Sequence, residues 1–519
     1  MNRREFMASA VGAGLYRARQ STARHFDLRN ASIVDIQAVV AAGALTYERL
    51  VQLYLNRIDA FDKRGPALNA VLQIHPRAIP IARQLDTERK AKGLRSPLHG
   101  IPVAIKDSID VVDMPSASGA RAFEGTYPAY DAAVVKRLRD AGAIIFLKTN
   151  LDEFNFGAQG LSSLGGQVLN PYNLKLNPGG SSAGTGVAVN VGFATVGLGT
   201  ETGASVRSPA SNNSLVGVAP TSGLVSRAGV LLVSSTQDRV GVHAKSVADA
   251  ATLLSFMRGF DAEDLFTWNS LDNVDAKPYT EYISNPTLRA QRIGVLRSLF
   301  RQGDEFAKVN ALIDQEIALI RREGAVLVEG LRTEMDLIAF FGFARVGMSE
   351  FKTAFEAYLK RRGPNSPIRS LEELAASGKI LKSSENSIKD VLNQPAPERN
   401  PDYLARLKNR QMIKELMVGL MDRHRVDCLV YPFKSLGAPP IGTADRGSRD
   451  NPISAITGLP AIVVPAGVNQ EGLPIAIEFL GRPFSEPSLF RIAAAYEAAS
   501  RRRVAPTLTP SLAGESIDY

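Results

Sequence analysis

Apolar residues recur along the chain at two periods, and the switching between them predicts strands alternating with helices. Near the N-terminus Leu50, Tyr54, Ile58 and Phe61 repeat at helical spacing, and Ser32 with Asp35 has the form of a helix start. Residues 103–105 and 144–147 read as buried strands flanking a helix over about 131–141, a β-α-β unit that puts Lys106 at a strand end. Residues 187–191 suit a short helix and 195–198 a strand, so that Ser205 lies near the start of the next helix. Strands are expected at 293–296 and 325–328 around a helix over about 306–322, then two long amphipathic stretches, 334–360 and 402–424. Runs at 427–431, 461–464 and 475–479 read as closing strands before a helix near 486–500. Groups at strand ends and helix N-termini fit the active edge of an open α/β sheet.

Composition narrows this little further. At 519 residues, with 45% hydrophobic and 22% charged positions, the chain has the make-up of a soluble globular protein with ample core. The net charge of +9 raises nucleic acid as a partner. The basic residues are scattered, however, with small clusters such as Arg17, Arg19 and Arg24, and a solvated surface is the better reading. Arg3-Arg4 before about ten mostly apolar residues resembles a twin-arginine export signal and is too short to span a bilayer. Export to the periplasm or beyond is therefore expected, with the cytoplasm as the alternative. The single cysteine, Cys428, forms no internal disulfide and sits in an apolar run that reads as a buried strand.

The chemistry concentrates in residues 177–211, NPGGSSAGTGVAVNVGFATVGLGTETGASVRSPAS. Glycine at this density loses much backbone entropy on folding, and positive φ or close backbone approach gives the reason for it. A Walker loop is excluded because no lysine lies between Lys175 and Lys245, and a dinucleotide fingerprint would need its third glycine one residue before Gly203. What remains is a serine arrangement: Ser181 and Ser182 after two glycines, Ser205 behind Thr202, Gly203 and Ala204, and Lys106 after an apolar run. Taken alone, GGSS reads as a turn. The five histidines lie in no zinc or nucleophile-elbow motif, and the one S-x-x-K match, Ser349 to Lys352, falls on an amphipathic stretch.

In that combination the chain resembles the amidase signature family. The likeness runs through HGIPVAIKD (99–107), KTNLDE (148–153), the Gly/Ser block, LVGVAPTSGLVSRA (215–228), TQDRVGVHAKSVADAA (236–251), and residues 451–465 and 473–483. The resemblance implies one large α/β domain, a central twisted mixed sheet covered by helices. Residues 1–24 would be a tail or export signal and 25–519 the catalytic domain, with a helical region at about 334–425 shaping substrate access. It implies Lys106 as base, Ser181 as bridging residue after a cis bond from Gly180, and Ser205 as the acylated nucleophile. A serine hydroxyl needs a base to become a strong nucleophile, and a lysine is that base only when neutral.

The backbone N–H groups of Thr202, Gly203, Ala204 and Ser205 would form the oxyanion hole. The family commonly has glycine where this chain has Ala204, which puts the hole's shape in question. Ser182 is expected to support the site by hydrogen bonding, and Arg207 to pair with a carboxylate such as Glu201 or Asp107, because a buried arginine needs a partner. Asn155, from its distance after Thr149 and Asn150, would line the substrate channel. Residues 162–173, with GTETG and TQD, are most similar to the bacterial peptide-amidase group, which removes ammonia from C-terminal amides. The implied function is amide hydrolysis through an acyl-enzyme on a peptide or other small amide, with no metal and no cofactor. The rivals are the glutaminase subunit of a tRNA-dependent amidotransferase, and a non-catalytic binding protein of the same fold. Oligomeric state is left open by the sequence.

Overall fold

A computed structural model describes residues 24–274, 276–364, 366–443 and 451–519. The twin-arginine stretch and most of the N-terminal tail lie outside the described residues. Fifteen strands occur among those described: β1 (His25–Asp27), β2 (Val71–Ile74), β3 (Pro102–Lys106), β4 (Ile144–Thr149), β5 (Leu161–Ser162), β6 (Gly166–Gln167), β7 (Val196–Glu201), β8 (Val216–Ala219), β9 (Arg239–Ala244), β10 (Arg292–Val295), β11 (Val326–Val328), β12 (Cys428–Pro432), β13 (Ala461–Val468), β14 (Pro474–Leu480) and β15 (Ser516–Asp518). Eleven of them form one sheet in the order β11-β10-β12-β14-β13-β8-β9-β7-β3-β4-β2. The sheet is mixed: β3 runs parallel to both β4 and β7, while β9 is antiparallel to β7 and β8. Helices flank it, and the molecule is one large α/β domain.

Local chemistry accounts for the elements that carry the site. The central strands are apolar and fully buried, as strands covered on both faces should be. Ser32 caps the helix Ile33–Ala41 and Asp35 answers it, a complete capping box. The β-α-β unit expected around residues 103–147 is present as β3, the helix Ala133–Asp140 and β4. The helix Ala183–Asn190 begins earlier than its apolar run suggested, and all of it is buried against the sheet. Gly184 permits this contact, since a Cβ there would lie 2.4 Å from the carbonyl oxygen of Ala70 and 2.5 Å from that of Asn150.

The region after Gly330 departs from the expected continuous stretch over 334–360. It is broken into the short helix Leu337–Phe340, a 3₁₀ turn Phe341–Phe343 and the helix Phe351–Arg362. A long helix, Pro401–Arg423, intervenes physically: Arg406 Nη1 donates to the carbonyls of Gly342 (2.8 Å) and Arg345 (2.7 Å), and Asn409 Nδ2 to that of Phe343 (2.8 Å). Side chains thus take carbonyls that a continuing helix would have used. Phe351, Phe355, Leu371 and Ile388 pack with Phe123 and Phe154 in a second apolar cluster, which fastens this region to the sheet domain.

Candidate active site

Lys106 is the last residue of β3 and Thr200 lies near the end of its parallel neighbour β7, so the two side chains meet at the same edge of the sheet. Lys106 is fully buried, and its Nζ lies in hydrogen-bond contact with Ser181 Oγ at 2.7 Å and Thr200 Oγ1 at 2.8 Å. Burial pushes its amine down to about 7, against the pull of Asp152, Asp238 and Glu201. These carboxylates make no contact with the amine that would hold the ammonium form.

Ser181 is buried and follows a cis peptide bond from Gly180. A Cβ on Gly180 would fall 2.1 Å from Asp152 Oδ2, so the close packing of this segment admits no side chain there. Asp152 organises the surrounding loop, accepting from the backbone N–H groups of Gln159 (2.8 Å) and Gly160 (2.9 Å). The Ser181 segment is tied to the Ser205 segment by the N–H of Ser182, which donates to the carbonyl of Ser205 at 3.2 Å. Ser182 Oγ accepts from the Thr200 N–H (3.2 Å) and donates to the Thr200 carbonyl (3.3 Å), which fixes the strand end facing Lys106.

Ser205 retains 6% of its exposure and opens into a cavity of about 270 Å³. No hydrogen bond joins its hydroxyl to that of Ser181, although both segments border the cavity, Gly180 being part of its wall. Thr202, Gly203 and Ala204 line the same cavity. Among the described residues, no acceptor takes the backbone N–H of Thr202, Gly203, Ala204 or Ser205. Ala204 does not lie at positive φ, so its Cβ is borne without backbone strain, and it packs with Val189, Leu215 and Phe433.

Arg207 is fully buried below this loop. It pairs with Glu201 and Glu478, and Nη2 donates to the carbonyl of Gly203 at 3.0 Å. Glu201 also accepts from the N–H groups of Val206 (2.8 Å) and Arg207 (3.2 Å). Asp107, the other carboxylate considered for Arg207, lies with Lys148 instead and accepts from the N–H groups of Ala117 and Gly119. Asn155 lines the cavity with both ends of its amide engaged: Nδ2 donates to the Leu231 carbonyl at 3.0 Å, and Oδ1 accepts from Thr200 Oγ1 at 3.4 Å.

Sequence reasoning misses Thr200, Glu478 and Gln237. Thr200 and Gln237 lie within the quoted GTETG and TQD strings, but their contacts depend on strand pairing and on the loop that leads into β9. Glu478 comes from β14, far along the chain. Among the described residues no group of three or more histidine, cysteine, aspartate or glutamate side chains is arranged to hold a metal ion, and no helix is long and apolar enough to cross a membrane.

Comparison with known proteins makes the protein a hydrolase acting on amide carbon–nitrogen bonds. The chain belongs to the Amidase family, whose model matches residues 49–490. It is 35% identical over 502 residues to a probable amidase of Arabidopsis thaliana, covering 93% of this chain and 92% of that one. It is 31% identical over 511 residues to a glutamyl-tRNA(Gln) amidotransferase subunit of Symbiobacterium thermophilum, covering 92% and 99%. The solved peptide amidase of Stenotrophomonas maltophilia superposes with a TM-score of 0.83 at 35% identity, over 92% of this chain and 99% of that one.

Proposed function

We propose that the protein cleaves the amide bond of a peptide amide or another small amide through an acyl-enzyme on Ser205, with Ser181 and Lys106 as the proton relay. The observation that carries this reading is a fully buried Lys106 amine, brought down to about 7, lying 2.7 Å from Ser181 Oγ. Thr200 Oγ1 donates to Asn155 Oδ1 and so receives an N–H of the lysine, leaving the lone pair of the neutral amine for the Ser181 proton. Ser205 Oγ then attacks the carbonyl carbon as its own proton passes to Ser181 and that of Ser181 to Lys106. Negative charge on the carbonyl oxygen is met by the free N–H groups of residues 202–205, each donor of this kind contributing about 3 kcal/mol. The carbon–nitrogen bond breaks as the relay returns its proton to the leaving nitrogen, and water, deprotonated along the same path, releases the acid.

A peptide-like substrate is favoured by the likeness to peptide amidases, one of which is solved with the competitive inhibitor chymostatin. The expected outcome of Ser205→Ala is loss of hydrolysis across a panel of peptide amides and aryl acylamides, with the thermal unfolding midpoint nearly unchanged. Lys106→Ala should suppress acylation likewise. Appreciable turnover in the serine variant would remove the nucleophile assignment. A second reading, the glutaminase component of a tRNA-dependent amidotransferase, is favoured by the similarity to the Symbiobacterium thermophilum protein over nearly its whole length. Glutamine hydrolysis that rises only when tRNA is supplied together with a partner protein would select it.

A further inference from the structure

We infer that Gln237 accepts a hydrogen bond from the N–H of the scissile carboxamide, so that the site selects amides bearing hydrogen on nitrogen over the matching esters. This rests on the amidase reading of the cavity and adds a specificity-determining residue to it.

Gln237 lies just before β9 and lines the cavity beside Thr202 and Ser205. Only 6% of the residue is exposed. Its Nε2 donates to the backbone carbonyl of Thr202, at the start of the loop that would hold the oxyanion. That bond fixes the orientation of the amide, because the reverse would set two carbonyl oxygens against each other. Oε1 is therefore the end left over, and among the described residues it has no hydrogen-bond partner.

A buried acceptor without a donor is costly, and on a residue of the cavity wall it marks where an incoming donor is needed. The other side-chain amide of the wall, that of Asn155, is already held at both ends by protein groups. With the substrate carbonyl oxygen directed to the N–H groups of residues 202–205, the remaining polar hydrogen of the reacting group is the one on nitrogen. An ester brings an oxygen there and leaves Oε1 unmatched. Sites built to hydrogen-bond a substrate N–H discriminate against analogues that lack it for this reason.

The test compares an N-acyl amino acid amide with the methyl ester of the same acid, using kcat/KM so that acylation is read for both. Gln237→Met should lower the amide value about tenfold more than the ester value. Equal falls for the two substrates would mean that Gln237 only braces the Thr202 loop, and would overturn the inference. A measurement that does not need the methionine variant to fold uses Ser205→Ala, which keeps Gln237: calorimetric titration should give about tenfold tighter binding of the amide than of the ester, and equal dissociation constants would overturn the inference. Loss of hydrolysis of both substrates in Ser205→Ala keeps the acyl-enzyme reading intact whatever the amide-to-ester ratio proves to be. A wild-type protein that cleaves neither removes that reading, and the inference with it.

Discussion

A lysine works as a base near neutrality only if its ammonium form is made costly, and Lys106 meets that condition by complete burial rather than by a neighbouring cation. The direction of the pH dependence follows. Lys106 loses its proton as pH rises through about 7, and in the proposed relay the neutral form is the active one. We expect kcat/KM for an amide to fall about tenfold per unit below that point and to level off above it. A profile flat from about pH 5 to about pH 9 would count against lysine as the base. At this scale the sequence is most legible where residues sit inside contiguous strings: Lys106, Ser181 and Ser205 each have a recognisable neighbourhood. Thr200 is not legible as a partner of Lys106, because its role depends on which strand lies beside β3. Gln237 is hidden for a related reason, since its contact with Thr202 crosses from one loop to another.

The element that joins these groups is the helix Ala183–Asn190, entered directly from the Ser181 segment and laid against the sheet. The N–H of Gly184 donates to the carbonyl of Asn150 at 2.9 Å, and the glycine leaves no space for a methyl group. Gly184→Ala sets a Cβ against backbone atoms that have no rotamer with which to yield. We expect it to cost about 3 kcal/mol in denaturant unfolding, and to lower kcat through displacement of Ser181. An unchanged midpoint would show that the helix can shift freely. Strands with dense apolar runs, such as β3, β4, β12 and β14, can be read from periodicity. By contrast β8, with VGVA, and β9, with RVGVHA, escape such a reading because their alternation is short and glycine-interrupted, with too few apolar positions to stand out. The expected long stretch over 334–360 fails because carbonyls within it are taken by Arg406 and Asn409, a tertiary contact that no local pattern announces.

Across the whole molecule, the two ends of the described chain are brought together by the antiparallel pair β1 and β15. Behind them Arg57, fully buried, pairs with Glu515 at 2.7 Å and donates to the carbonyl of Val191, where the Ala183–Asn190 helix ends. Removing the carboxylate would leave a guanidinium stranded in the interior. Glu515→Ala should therefore destabilise the protein by about 3–5 kcal/mol, read as a lowered thermal midpoint, while the reaction itself keeps its pH profile. A different division of labour is written into the cavity. Thr202 to Ser205 of its wall lie in the loop that follows β7, whereas Arg345, Met348 and Ser387, from the helical region, form another part of its boundary. On the proposed reaction, substitutions in that boundary would alter which acyl group is accepted while leaving Lys106, Ser181 and Ser205 in place, which makes this surface the natural handle for redirecting the enzyme to new amides.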